Sequence, residues 1–166
     1  MSSPGSNAVS VRKLSGALGA EVSGVDLWKP VDPEVFAVVR QALWDHGVIY
    51  LRGQNLSRED QLAFARGFGE PDVHPIANAM PDHPQIIEVA KPAGETAYFG
   101  TSWHSDNSFF ECPSALTILY AERVPPVGGD TLYACMELAY RTLSEPIRRL
   151  IDPLRAVHGA ARAYDP

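Results

Sequence analysis

The segment at residues 103–109, with the sequence WHSDNSF, carries the residues best suited to metal chemistry. His104 and Asp106 are two positions apart, and on a β-strand that spacing would place both side chains on one face. A neutral imidazole and a carboxylate on one face can occupy neighbouring positions around a divalent metal. With one further histidine they form the facial triad of non-haem Fe(II) oxygenases, which leaves positions open for substrate and O₂. The alternative is a surface-loop histidine beside an unrelated aspartate, since chance gives about 0.3 such pairs.

The elements that must position these side chains follow from hydrophobic periodicity and from capping and turn signals. Helices are predicted from the Asp32 cap to Gly47, from Ser57 to about residue 68, and over residues 136–143 and 144–151. Strands are predicted at residues 9–14, within 18–27, and at 48–51, 85–90, 115–123, 130–134 and 154–158. Loops are predicted at residues 71–84 and 91–101. Short strands after an opening αβ segment predict a mixed α/β fold built on an antiparallel sandwich such as a jelly roll.

The overall composition is that of a globular domain and argues against several function classes. The 166 residues are 45% apolar and 20% charged, which suggests one domain or a large part of one. Lys and Arg number 14 against 20 Asp and Glu, so the net charge of −6 is opposite to that of nucleic-acid-binding proteins. No apolar run approaches a membrane span, and polar residues 1–8 are expected to be a disordered N-terminus. Cys112 and Cys135 indicate no disulfide framework, so a cytoplasmic location is expected.

Several motifs resemble, in order and spacing, those of the taurine dioxygenase family of Fe(II)- and 2-oxoglutarate-dependent oxygenases. They are GAEVSGVDL at 19–27, VIYLR at 48–52, HP at 74–75, WHSDNSF at 103–109, PPVGGDTL at 125–132 and LRAVH at 154–158. The resemblance covers nearly the whole chain from about residue 9. It implies that residues 9–166 are the N-terminal part of one oxygenase domain. That domain would have a double-stranded β-helix (jelly-roll) core with flanking helices, incomplete in this chain.

The resemblance also implies a cofactor set and roles for individual residues. Fe(II) would act with 2-oxoglutarate and O₂ as co-substrates, and a small, anionic organic substrate would be hydroxylated with release of succinate and CO₂. His104 and Asp106 would be catalytic iron ligands, and Thr131 would donate a hydrogen bond to a carboxylate of 2-oxoglutarate. His74 and Asn107 would contact the substrate. By residue type alone, Thr131 is typical of a strand residue after a glycine turn, and His74 of a loop histidine.

Two features depart from the family's pattern. In the family's order, the distal iron-binding histidine and the arginine that binds the far carboxylate of 2-oxoglutarate belong beyond residue 166, and His158 comes too early to be the third ligand. The chain is therefore expected to be a fragment or a truncated oxygenase. Taurine-using relatives have a tyrosine and an asparagine where this sequence has Ala77 and Gly100, which argues against taurine as the substrate. Asp106 favours hydroxylation over halogenation, because iron halogenases of this fold carry a small residue there.

Two other function classes stay open. A truncated relative would act as a non-catalytic binding module or an inactive fragment, which the missing distal residues favour. A cupin-type isomerase would also use a metal in a jelly roll, but cupins usually supply more histidines close to the first, and only His104 lies in that region. The expected partner is a small-molecule substrate rather than nucleic acid or a membrane, and a homo-oligomer is compatible with the sequence.

Overall fold

The structure is a computed structural model that describes residues 8–91, 94 and 102–159. It contains both helices and strands, as expected for a mixed fold. In chain order they are β1 (Ser10–Lys13), β2 (Ala20–Ser23), α1 (Pro33–His46), β3 (Ile49–Tyr50), α2 (Arg58–Arg66), β4 (Ala79–Met80), β5 (His83–Ile87), α3 (Met136–Arg141) and α4 (Glu145–Ile151). The chain divides into two compact units. The described part of the first unit is residues 8–69 and 121–154, and that of the second is residues 70–91, 94, 102–120 and 155–159. Of the terminus expected to be disordered, residues 1–7 lie outside the described residues.

A three-stranded sheet opens the first unit. β1 pairs antiparallel with β2, with Val11 opposite Val22, and β2 pairs parallel with β3, with Ala20 opposite Ile49. Successive side chains on a strand point to opposite faces. Ala20 and Val22 are therefore buried, whereas Glu21 between them is partly exposed. Three strand predictions are thereby confirmed: those at residues 9–14, 18–27 and 48–51.

Two helices in the first unit begin at side-chain caps that the sequence predicts. The Asp32 carboxylate accepts a hydrogen bond from the backbone N of Glu34 at 2.8 Å, and α1 ends at Gly47, whose φ of 69° suits glycine. α2 begins at Ser57, which forms a capping box with Asp60. Each side chain of that box accepts a hydrogen bond from the other residue's backbone N. Both helix predictions are confirmed, with α2 slightly shorter than expected.

The apolar core of the first unit is formed by residues of β2, of the segment after it and of the two helices. Three aromatic rings join the helices edge to face: the ring centroids of Phe36 and Phe68 are 4.8 Å apart, and those of Phe64 and Phe68 are 5.4 Å apart. Gly67 lies against the same cluster, and a Cβ added there would meet the Phe36 ring at 2.5 Å. The buried apolar residues of this unit are Ala20, Val22, Val25, Leu27, Val39, Ala42, Leu62 and Phe64.

A two-stranded hairpin forms part of the second unit. β4 pairs antiparallel with β5, with Met80 opposite His83, and Pro81 and Asp82 form the turn between them. Proline suits such a turn because its fixed φ is already that of the first turn position. The loop predicted at 71–84 therefore needs correction, since it contains β4 and the start of β5. The strand predicted at 85–90 is confirmed in part, although it begins earlier and is shorter.

Three further strand predictions are wrong for this structure. Residues 115–123, 130–134 and 154–158 form no strand, although their residue types favour extended backbone. A strand needs a partner for its backbone N–H and C=O groups, and residue types alone do not specify one. Within the part of the chain that the structure describes, none of these segments pairs with another. The local sequence pattern predicted a preference for extended backbone, but it did not contain the strand pairing that a sheet requires.

The last two helices are short and lack buried residues. The predictions at 136–143 and 144–151 are confirmed by α3 and α4. Ser144 occupies the N-cap of α4, but its side chain makes no capping hydrogen bond. The Tyr140 hydroxyl donates a 2.6 Å hydrogen bond to Oδ1 of Asp152. Over the described ranges, no helix is long and apolar enough to cross a bilayer.

Candidate functional site

Four of the five predicted site residues belong to the second unit. His74 lies in the loop before β4, and His104, Asp106 and Asn107 lie in the loop and turn that follow residue 102. Thr131 belongs to the first unit, in an exposed stretch after two glycines with positive φ. The structure thus groups two pairs within one unit, His104 with Asp106 and His74 with Asn107. The role that the resemblance gives Thr131 stays a prediction.

The side chains of His104 and Asp106 meet without a strand to hold them. Residues 103–105 are irregular and Asp106 begins a turn. His104 Nε2 lies 3.1 Å from Asp106 Oδ1, and each side chain is 52% exposed. Two ligands at right angles on an octahedral metal, each about 2.1 Å from it, are about 3.0 Å apart. The observed separation therefore fits two neighbouring ligands of one metal ion.

The outer atoms of this pair are also held in place. His104 Nδ1 lies 2.8 Å from the backbone oxygen of Ser102, which can only accept, so Nδ1 is the donor. Asp106 Oδ2 accepts a 2.8 Å hydrogen bond from the Thr117 hydroxyl. In the neutral imidazole, Nε2 then presents its lone pair to a carboxylate oxygen. Two electron-rich atoms at this distance require a proton or a metal cation beside them, and a second partner on each ligand is the usual arrangement at metal sites.

A third ligand does not come from the residues that the structure describes. Over residues 8–91, 94 and 102–159, no group of three His, Cys, Asp or Glu side chains could hold a metal ion. His158 was expected to come too early in the sequence to be that ligand. Its Nδ1 forms a 2.8 Å hydrogen bond with the Ser108 hydroxyl. His104 and Asp106 therefore stand as a pair, with no third side chain of these types beside them among the described residues.

His74 and Asn107 form a second hydrogen-bonded pair, and Asn107 directly follows Asp106 in sequence. His74 Nδ1 accepts hydrogen bonds from the backbone N of Ile76 at 3.2 Å and of Ala77 at 2.9 Å. Because backbone amides only donate, the proton of the neutral ring is on Nε2, which donates to Asn107 Oδ1 at 3.1 Å. The Asn107 amide nitrogen in turn donates to the Ser114 hydroxyl at 3.0 Å. This chain of bonds fixes the ring orientation of His74.

Asn107 makes this link from an unusual backbone conformation. Its φ is 53°, and it is the one residue other than glycine with positive φ among those the structure describes. Asparagine tolerates this region better than most residues, which explains the residue type directly after Asp106. Its side chain is directed to His74, while that of Asp106 is directed to His104.

Sequence reasoning missed the residues that hold the site together. Thr117 and Ser114 lie in and just before the segment predicted as a strand at 115–123, where they would be ordinary strand residues. Their hydroxyls instead hold two successive side chains, Asp106 and Asn107. No spacing rule pointed to them, because the bonds join segments seven and eleven residues apart through a turn.

The chain is similar to proteins of one family along nearly its full length. Residues 10–165 match the family described as "Taurine catabolism dioxygenase TauD, TfdA family". An alpha-ketoglutarate-dependent sulfate ester dioxygenase of Pseudomonas putida is 36% identical over 156 residues, which are 93% of this chain and 50% of that protein. The crystal structure of a taurine dioxygenase from Burkholderia xenovorans gives a TM-score of 0.74 at 36% identity, over 90% of this chain and 53% of that one. The crystal structure of AAD-2 in complex with Mn(II) and N-oxalylglycine gives a TM-score of 0.66 at 28% identity, over 87% and 53%.

These likenesses cover this chain far better than they cover the other proteins. The chain spans about half the length of the curated relatives it matches. The family match nevertheless includes almost every described residue, and with it all five candidate site residues. The resemblance noted in the sequence is thereby confirmed. The chain belongs to the taurine catabolism dioxygenase TauD, TfdA family.

Proposed function

We propose that this chain is the N-terminal part of an Fe(II)- and 2-oxoglutarate-dependent dioxygenase with a jelly-roll core. It would hydroxylate a small, anionic organic substrate with release of succinate and CO₂. The observation that carries the proposal is the His104–Asp106 pair, in which Nε2 and Oδ1 are 3.1 Å apart. Family membership supports it, and a relative is named as an alpha-ketoglutarate-dependent dioxygenase. The third histidine ligand and the arginine would come from the part of the domain that this chain does not span.

Each candidate residue has a task in this proposal. His104 Nε2 and Asp106 Oδ1 would bind Fe(II), and a related structure contains Mn(II), an ion of similar ligand preference. When bound, the iron would supply the oxidising chemistry, with 2-oxoglutarate and O₂ as co-substrates. The Thr131 hydroxyl would donate to a carboxylate of 2-oxoglutarate, a charge-assisted hydrogen bond. His74 and Asn107 would contact the substrate. The second N–H of the Asn107 amide would be the donor, because its first N–H bonds Ser114 and the single Nε2–H of His74 bonds Asn107 Oδ1.

Donors of this kind favour an anionic substrate group, but the residues around them argue against taurine. Ala77 replaces the tyrosine of taurine-using relatives, and its backbone N is already bonded to His74 Nδ1. Gly100, the second replacement, lies outside the described residues. A relative from Pseudomonas putida is named for sulfate esters. A first substrate panel therefore contains an alkyl sulfate, an aryloxyalkanoate and taurine, with taurine expected to be turned over least.

One observation favours the second candidate function, a non-catalytic binding module. Within the described ranges, the metal pair has no third His, Cys, Asp or Glu ligand beside it. A chain that binds metal through two ligands would do so weakly and would not by itself hold 2-oxoglutarate at both ends. Iron-dependent release of succinate from 2-oxoglutarate separates the two candidates, because a binding module releases none.

Metal binding by the 166-residue chain is the first test. Mn(II) binding is measured under argon as the loss of the EPR signal of the aqueous ion, without 2-oxoglutarate. We expect weak binding that is abolished by His104→Ala and by Asp106→Asn, because each removes one of two ligands. His46→Ala is the matched control. His46 lies in the last turn of α1 in the first unit, and its backbone oxygen, which bonds Gly19, is retained in the variant.

The outcomes separate the proposal from its alternatives. Binding that depends on His104 but not on His46 supports a metal site, and succinate release with Fe(II), 2-oxoglutarate and a panel compound then supports the oxygenase. Binding without succinate release favours the binding module for this chain. Binding that His104→Ala leaves unchanged, or no binding at all, contradicts the proposed site.

A further inference from the structure

Thr117 contacts the candidate metal pair from outside. Its hydroxyl donates a 2.8 Å hydrogen bond to Asp106 Oδ2, the carboxylate oxygen that is turned away from His104. The other oxygen, Oδ1, lies 3.1 Å from His104 Nε2. The two oxygens of one carboxylate therefore have two different partners, and together these fix its rotation about the Cβ–Cγ bond.

This rotation matters because the carboxylate is otherwise poorly restrained. The Asp106 side chain is half exposed, and the terminal torsion of an aspartate is broad and roughly two-fold. His104 is restrained by a backbone oxygen, that of Ser102, which no side-chain substitution removes. Among the described residues, Thr117 is thus a side chain through which the orientation of the pair depends on sequence.

The same segment holds the neighbouring residue as well. Ser114 accepts the hydrogen bond from the Asn107 amide, and Asn107 Oδ1 accepts from His74. Two hydroxyls three residues apart thus hold two consecutive side chains, one directed to His104 and one to His74. The arrangement indicates that residues 114–117 serve as a support for the loop that carries Asp106.

We propose that Thr117 is a positioning residue that holds Asp106 Oδ1 toward His104 Nε2 and so raises the affinity of the pair for a divalent metal ion. The inference rests on the proposed function, since it assigns Thr117 a part in the same metal site. A hydrogen bond between exposed groups contributes little to folding. Its effect should therefore appear in metal binding rather than in the free energy of unfolding.

The experiment compares Mn(II) affinity, measured by EPR, for the wild-type chain, Thr117→Val and Thr117→Ser. Valine keeps the shape but lacks the hydroxyl, and serine keeps the hydroxyl. We expect Thr117→Val to weaken binding about tenfold, at the low end for such outer partners because the site is exposed. Thr117→Ser should restore most of the affinity. Thr142→Val is the matched control, since the Thr142 hydroxyl bonds only to backbone oxygens of its own helix end in the hydrogen bonds seen for it.

A second readout needs no metal. The ¹³Cγ chemical shift of Asp106 in the metal-free chain, measured by NMR at pH 7, should change in Thr117→Val and return in Thr117→Ser. If wild-type binding is unaffected by His104→Ala, the proposed function fails, and this shift alone decides whether Thr117 orients Asp106. If wild-type binding depends on His104 but Thr117→Val binds as tightly as wild type, the inference is overturned and the proposed function stands. An Asp106 signal that is the same in Thr117→Val and wild type overturns it too.

Discussion

Two parts of the first unit, residues 8–69 and residues 121–154, differ in whether their apolar side chains are buried or exposed. The earlier part supplies all the buried apolar residues of the unit among those described, including Val22 and Val39, which are almost fully buried. The later part is rich in apolar residues that face solvent. Val127 is 88% exposed and Leu150 is 68% exposed, and neither α3 nor α4 has a buried residue.

The difference in burial follows from which elements pair or pack with other elements of this chain. Residues 8–69 contain three paired strands and two helices, and the rings of Phe36 and Phe64 pack edge to face between these helices. Residues 121–154 contain two helices, formed from local signals, and no strand. Several large apolar side chains of residues 121–154 are therefore left exposed in the part of the chain that the structure describes.

The largest expected effect on the free energy of unfolding comes from replacing leucine by alanine in one helix of each part. Leu62 of α2 is 8% exposed, and Leu150 of α4 is 68% exposed. Leu62→Ala should lower the free energy of unfolding by about 2–5 kcal/mol, because it removes buried apolar contacts and leaves a cavity. Leu150→Ala should change it by less than about 0.5 kcal/mol, because little is buried there. Urea unfolding followed by circular dichroism measures both.

Alanine favours helix at both positions, so propensity does not explain a difference between the two variants. Equal losses of stability would mean that Leu150 is buried in solution, for example against a second copy. In that case the loss for Leu150→Ala should fall as the protein is diluted, whereas the loss for Leu62→Ala should not.

The same division explains which sequence predictions succeeded. The limits of α1 and α2 depend on residues a few positions apart, such as Asp32 with Glu34 and Ser57 with Asp60, and local pattern contains that information. The strand predicted at 115–123 depends on a distant partner that local pattern does not contain. The spacing of His104 and Asp106 predicted that their side chains lie side by side, and they do, although a turn and not a strand brings them together. Nothing in the sequence indicated that the Thr117 hydroxyl bonds Asp106, because threonine in such a segment is typical of a strand.

A smaller effect is expected at two serines in equivalent positions of two helices. Ser57 caps α2 and forms a capping box with Asp60, whereas Ser144 occupies the N-cap of α4 with no side-chain hydrogen bond. Ser57→Ala should lower the free energy of unfolding by about 1 kcal/mol, because a backbone N–H loses its partner. Ser144→Ala should change it by less than about 0.5 kcal/mol. A loss at Ser144 as large as that at Ser57 would show that α4 is capped in solution.

The smallest expected effects on stability depend on pH: one appears in acid, through Asp60, and the other in alkali, through Tyr140. Hydrogen bonds from the Ser57 side chain and backbone lower the pKa of Asp60 below its ordinary 3.8, so this carboxylate stabilises the fold above that pH and loses its contribution as the pH falls through the lowered pKa. The hydrogen bond to Asp152 raises the pKa of Tyr140 above its ordinary 10.0. That contribution is complete below pH 10 and is lost as the pH rises through the raised pKa.

Asp60→Asn and Tyr140→Phe make these two contributions separable. The urea midpoint of Asp60→Asn should lie below that of wild type at pH 7 and meet it in acid, whereas the midpoint of Tyr140→Phe should meet that of wild type only in alkali. Both groups are exposed, so the shifts should be small and should shrink with salt. If the Tyr140→Phe difference were constant across the alkaline range, the hydroxyl would not bond Asp152 in solution. The hydrogen bond that joins α3 to Asp152, the C-cap residue of α4, would then be absent in solution.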